Sequence, residues 1–73
     1  LHSVLLSPGA GAIGRTLDQL NLEQLGCEVS AIRRRGIRAV EPAPETRLEE
    51  GDVVVVLGAP EAVTAAEERL LQN

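Results

Sequence analysis

The hydrophobic pattern switches between a period of two and a period near 3.6, and the switches mark out the elements. Ser3–Ser7 reads as a short strand, stopped by Pro8 and Gly9. From Ile13, the apolar positions Ile13, Leu17 and Leu20 fall on one face of a short helix. Leu22 and Leu25 can prolong it before Gly26 ends it. Cys27–Arg33 alternates as a strand, with Cys27, Val29 and Ala31 on one side and Glu28, Ser30 and Ile32 on the other. Arg34-Arg35-Gly36 predicts a hairpin turn into a second strand, Ile37–Val40, which Pro42 and Pro44 cut off.

A turn at Leu48–Asp52 feeds Val53–Leu57, a run apolar on both faces. Such a strand belongs at the centre of a sheet and needs cover on both sides. The last segment begins with Pro60 and Glu61, suited to a helix start, and carries Ala62, Val63, Ala66 and Leu70 as one stripe. That helix covers one side of the central strand, and the other side requires a partner. The predicted order is β-α-β-β-β-α, an α+β class with a largely antiparallel four-stranded sheet and two helices.

Composition sharpens this picture mainly by exclusion. The 73 residues make one small domain, 1–73, with no repeat or low-complexity tract. There are 22 Val, Ile and Leu and nine Ala, but no aromatic residue, so nothing stacks on single-stranded nucleic acid. A net charge of −4 argues further against a nucleic-acid partner. One cysteine allows no internal disulfide, and one histidine allows neither a His-based triad nor a His-rich metal site. No catalytic set and no metal site is expected, and the chain is read as a non-enzyme. With Leu1 first and Met absent, it is expected to be a module excised from something longer.

Gly9-Ala10-Gly11-Ala12-Ile13-Gly14 matches the dinucleotide fingerprint GxGxxG between a strand and a helix. Pro8 interrupts the approach to the first glycine, and a hairpin stands where a crossover helix should follow. A glycine-rich connection is the preferred reading, with a fragment of a dinucleotide-binding enzyme as a lesser alternative. Four of the seven arginines, Arg33, Arg34, Arg35 and Arg38, crowd into six positions. Solvated hairpin ends explain them most simply, and a site for an anionic, phosphate-bearing effector is the sharper alternative. Cys27 is expected as a small core residue, Asp52 as an acceptor for turn amides, and Glu49-Glu50 and Glu67-Glu68 as solvated faces.

The combination Ile13-Gly14-Arg15-Thr16-Leu17, then Val29-Ser30-Ala31-Ile32-Arg33-Arg34, then Thr46-Arg47-Leu48-Glu49-Glu50-Gly51-Asp52 and Val55-Val56-Leu57-Gly58 resembles the TrkA-C, or RCK C-terminal, domain over essentially the whole chain. The opening His-Ser-Val-Leu-Leu-Ser and the C-terminal helix are similar to versions found on bacterial cation:proton antiporter-2 and glutathione-regulated potassium-efflux proteins. The resemblance implies a regulatory domain on the cytoplasmic face of the bacterial inner membrane. It would be part of a potassium or cation transport protein, next to an RCK N-terminal domain or a membrane domain. It also implies a homodimer and, in some members, a small effector such as a cyclic di-nucleotide or a divalent cation. A ligand-free oligomerisation module is the alternative of a different class.

Overall fold

The computed structural model describes residues 1–72. Four strands, β1 (His2–Leu5), β2 (Glu28–Arg34), β3 (Arg38–Val40) and β4 (Val53–Leu57), form one sheet in the order β1-β4-β2-β3. Every neighbouring pair is antiparallel. Two helices, α1 (Leu17–Leu20) and α2 (Pro60–Leu71), complete the expected β-α-β-β-β-α order, with a 3-10 turn at Leu22–Leu25 after α1. The apolar run Val53–Leu57 takes the interior position its two-sided pattern demanded, flanked by β1 and β2.

α2 packs on the inner sheet face, where Val4, Val54, Val56 and Ile32 meet Ala66 and Leu70 in the core. Leu6 and Leu48 close it from the connecting loops, both essentially without solvent contact. The stripe read from the sequence of α2 is the stripe that packs: Ala66 and Leu70 are buried, with Ala62 and Val63 half-buried. Pro60 occupies the first turn, where its missing N–H costs nothing.

The first helix differs from its expected extent. It starts at Leu17, not near Ile13, because Thr16 caps it: the Gln19 N–H donates to Thr16 Oγ1 at 3.2 Å, and the Thr16 N–H donates to Gln19 Oε1 at 3.0 Å. This reciprocal capping box satisfies two end amides at once and fixes the start. Asn21, with φ of 48°, then takes the left-handed conformation that ends the helix. Ile13 and Leu25 still pack against the core, but from the flanking turns.

The second difference is in β2. Its pairing with β4 jumps from Val29↔Val56 to Ala31↔Val55, so Ser30 is an extra residue in a β-bulge. Strict alternation placed Val29 and Ile32 on opposite sides. The bulge puts both on the inner face, with Ile32 opposite Val54, and moves Ala31 to the outer face opposite Val55. Burial of Ile32 against the core is the gain that favours it. Smaller differences are the bounds of β1, which ends at Leu5, and the hairpin loop, which is Arg35–Ile37 because Arg34 pairs with Arg38.

Gly58, at the end of β4, is closely surrounded. A Cβ there would lie 3.0 Å from both Cys27 Sγ and the Gly26 carbonyl oxygen. The backbone oxygen cannot yield, so Gly58→Ala is expected to cost about 1–3 kcal/mol in urea unfolding. A change below about 0.5 kcal/mol would mean that the β4–α2 corner relaxes freely.

Candidate functional site: the open sheet face and the arginine hairpin

The outer face of the sheet has no cover within the described residues. Val53 and Val55 of β4 stand there beside Ala31, all half-buried by their neighbours alone. Leu5 and Leu57 flank them at 57% and 37% exposure. Pairing places Arg33 on the same face, opposite Val53 on one side and Ala39 on the other. The result is an apolar strip with a guanidinium at one end. Arg33 makes no ion pair among the described residues.

The four arginines are not gathered on one face. Arg34 points to the inner side of the hairpin, and all three of its guanidinium nitrogens have an acceptor. Its Nε donates to Asp52 Oδ1 and its Nη2 to Asp52 Oδ2, each at 2.9 Å. Nη2 also donates to the Arg47 carbonyl at 3.0 Å, and Nη1 lies 3.2 Å from a Glu49 carboxylate oxygen. Asp52 is wholly buried and accepts a further bond from the Glu49 N–H at 2.9 Å, as its place in the turn led one to expect.

Burial by itself would push the Asp52 carboxyl up. The hydrogen bonds from Arg34 and from the Glu49 amide, with the charge of Arg34, outweigh it and hold the carboxyl below the ordinary carboxylate range. The Asp52 hydrogen bond in turn raises Arg34, with the charges of Asp52 and Glu49 adding to it. This fork-to-fork pair closes the edge of the core and leaves at most one of the five N–H donors of Arg34 without a named acceptor. Its signal in the sequence was weak. Arg34 and Asp52 lie one step beyond the last β2–β4 pair, Arg33↔Val53, so only the register reveals them as neighbours.

Arg35 sits in the hairpin loop with φ of 55°, and Arg38 opposes Arg34 across the hairpin. Arg33 is therefore separated from the other three by the plane of the sheet or by the turn. The groove between α1 and the start of β2 lies elsewhere. Its walls include Leu22, Val29 and Pro44, and its rim carries Asp18, Glu23 and Glu28 but no arginine. Cys27 is buried at its base, as a core residue.

The glycine-rich loop does a different job from a phosphate cradle. The N–H groups of Gly11 and Ala12 donate to the carbonyls of Leu71 and Leu70, at 3.3 and 3.1 Å. They satisfy the open C-terminal end of α2. The Gly14 N–H donates to the Leu48 carbonyl at 2.9 Å. α1 begins only at Leu17, after Arg15 and the cap Thr16, so the last glycine lies outside the helix and not in its first turn as the fingerprint requires.

Comparison with known proteins agrees with this geometry. The family model of the TrkA-C domain matches residues 1–71. A curated protein of Alkalimonas amylolytica, assigned as a K(+) efflux antiporter, KefB, is 36% identical over 66 residues. That match covers 90% of this chain and 10% of the relative, so the chain spans about a tenth of the length of the curated protein it matches. Among solved structures, the RCK_C domain dimer of S. agalactiae BusR in complex with c-di-AMP superimposes with a TM-score of 0.73 at 23% identity, over 86% of this chain and 84% of that one. An RCK domain solved with cda gives a TM-score of 0.76 at 21% identity, over 94% of both chains. The two structures share the fold, and the sequence match from the first strand to the last helix carries the membership: this chain belongs to the TrkA-C domain family.

Proposed function

We propose that the chain is a regulatory domain of a potassium or cation transport protein. Two copies pair through the open sheet face, and an anionic effector is held there by Arg33. The single observation behind this reading is an unpaired guanidinium at one end of an uncovered face whose apolar strip is broken only by Ser3 and, at the far end beside Leu57, Glu28. An apolar strip of this kind is stable when covered, and a two-fold pairing would cover it with its own copy. The same two-fold axis would bring two Arg33 side chains to one ligand, which suits a dinucleotide with two phosphates. The RCK_C domain of BusR, solved as a dimer in complex with c-di-AMP, supports that choice of effector class.

Of the four arginines expected at an anion site, this proposal keeps Arg33 as the contact. Arg35 and Arg38 would add to the field, and Arg34 is spent on Asp52. The mechanism is a population shift: an effector that binds one dimer arrangement better than another draws the domain toward it. The domain would pass that change to an RCK N-terminal or membrane domain of the same transport protein, on the cytoplasmic side. No reaction is assigned to it.

Calorimetric titration of the chain with cyclic di-AMP, with magnesium and calcium as separate arms, tests the reading. One dinucleotide per two chains is expected, and Arg33→Ala should weaken it at least about tenfold, the worth of a charge-assisted hydrogen bond. Binding that ignores Arg33→Ala would overturn the site. A dimer that binds none of the three would favour the ligand-free oligomerisation module.

A further inference from the structure

The tip of the β2–β3 hairpin is unlike the rest of the surface. Ile37 is 88% exposed, a large β-branched side chain held at the end of a loop. Arg35 and Gly36 precede it with φ of 55° and 86°, so the backbone is tightly turned and presents Ile37 outward. The six positions 33–38 hold four arginines and no acid, whereas the other 67 residues hold three arginines and all eleven acids. The domain is thus strongly dipolar, with its positive end at this hairpin. Asp52 and Glu49 neutralise Arg34 but not the rest: Arg33, Arg35 and Arg38 form no ion pair among the described residues.

A singly exposed isoleucine is ordinary on a protein surface. One standing at the tip of a hairpin, between two arginines, Arg35 and Arg38, that make no ion pair among the described residues, has the composition of an interfacial anchor, with an apolar point to insert and cations to meet the headgroups. We propose that this hairpin tip rests on an anionic lipid surface, with Ile37 entering the headgroup layer and Arg35 and Arg38 contacting lipid phosphates. An acidic protein surface would satisfy the arginines but would offer Ile37 no apolar layer, which is why lipid is the partner named.

Each arginine near an anionic leaflet favours binding roughly fivefold. Insertion of Ile37 contributes roughly tenfold more. Such binding is weak for a free domain and effective for one tethered close to a membrane. The ten acids other than the buried Asp52 lie outside this hairpin and are repelled by the same leaflet, so the contact orients the domain with its hairpin toward the bilayer. The tip lies outside the apolar strip of the open face, and its role does not depend on what Arg33 binds.

The test uses the isotopically labelled chain with vesicles of phosphatidylcholine alone and of phosphatidylcholine mixed with phosphatidylglycerol. Line broadening in the mixed vesicles, centred on residues 35–38 and absent with phosphatidylcholine, is expected. Ile37→Asp should reduce the bound fraction about tenfold, and raised salt should reduce it further. Because Ile37 is exposed, the variant should keep its far-ultraviolet circular dichroism, and cyclic di-AMP titration of the same variant reports on the open face separately. The proposal is overturned if the mixed vesicles do not bind, if phosphatidylcholine binds as well, or if Ile37→Asp leaves binding unchanged.

Discussion

Replacing Asp52 with alanine is expected to destabilise the domain by about 3 kcal/mol, a drop in Tm on the order of 15 °C for a chain of this size. The carboxylate is the shared acceptor of three donors: two from Arg34 and one from the Glu49 amide. Removing it strands a guanidinium whose side chain is only 18% exposed and breaks the turn that leads into β4. Arg34→Lys, with Asp52 intact, should cost part of the same stability, since an ammonium cannot make both bonds of the fork. An unchanged Tm in Asp52→Ala would show that the pair contributes no net stability.

The same pair sets an acid limit. Asp52 has its carboxyl lowered in the folded chain, so the unfolded state binds the proton more readily. The stabilisation is fully present above the ordinary aspartate value of about 3.9 and is lost as pH falls through the lower folded value. The stability difference between the native chain and Asp52→Asn should therefore be largest near neutral pH and shrink in acid. Urea midpoints for both proteins across that range read it directly. A difference that grows on acidification would contradict the sign.

Val55→Glu tests the proposed two-fold pairing separately from folding. Val55 lies at the middle of the open face, between Ser3 and Ala31. In a lone chain the new carboxylate can reach water, so circular dichroism should change little. In a two-fold pair each interface would bury two such charges, and the dimer should weaken at least about a hundredfold by sedimentation. A self-association in Val55→Glu equal to that of the unmodified chain would overturn the proposed pairing through this face.

Most of the architecture was legible because it depends on short-range patterns. The two-sided run Val53–Leu57 announced a central strand, Pro60 and the Ala62–Leu70 stripe announced α2, and Pro42 and Pro44 announced the end of β3. The start of α1 was also written locally, in Thr16 and Gln19, but the apolar spacing from Ile13 drew attention away from that capping box. In the arginine cluster, the sequence showed four equal candidates. It could not show that Arg34 is taken by a residue 18 positions away while Arg33 stays on the open face.

The order of elements and the two-faced central strand follow from the sequence by itself, because side-chain periodicity and backbone limits act within a few residues. Tertiary structure alone decided the Ser30 bulge, the Arg34–Asp52 pair and the service of the Gly9–Gly14 loop to the end of α2. Each of these depends on the register between distant segments. A shift of one residue there exchanges the faces of a strand and changes which polar groups can meet, and no local pattern determines it.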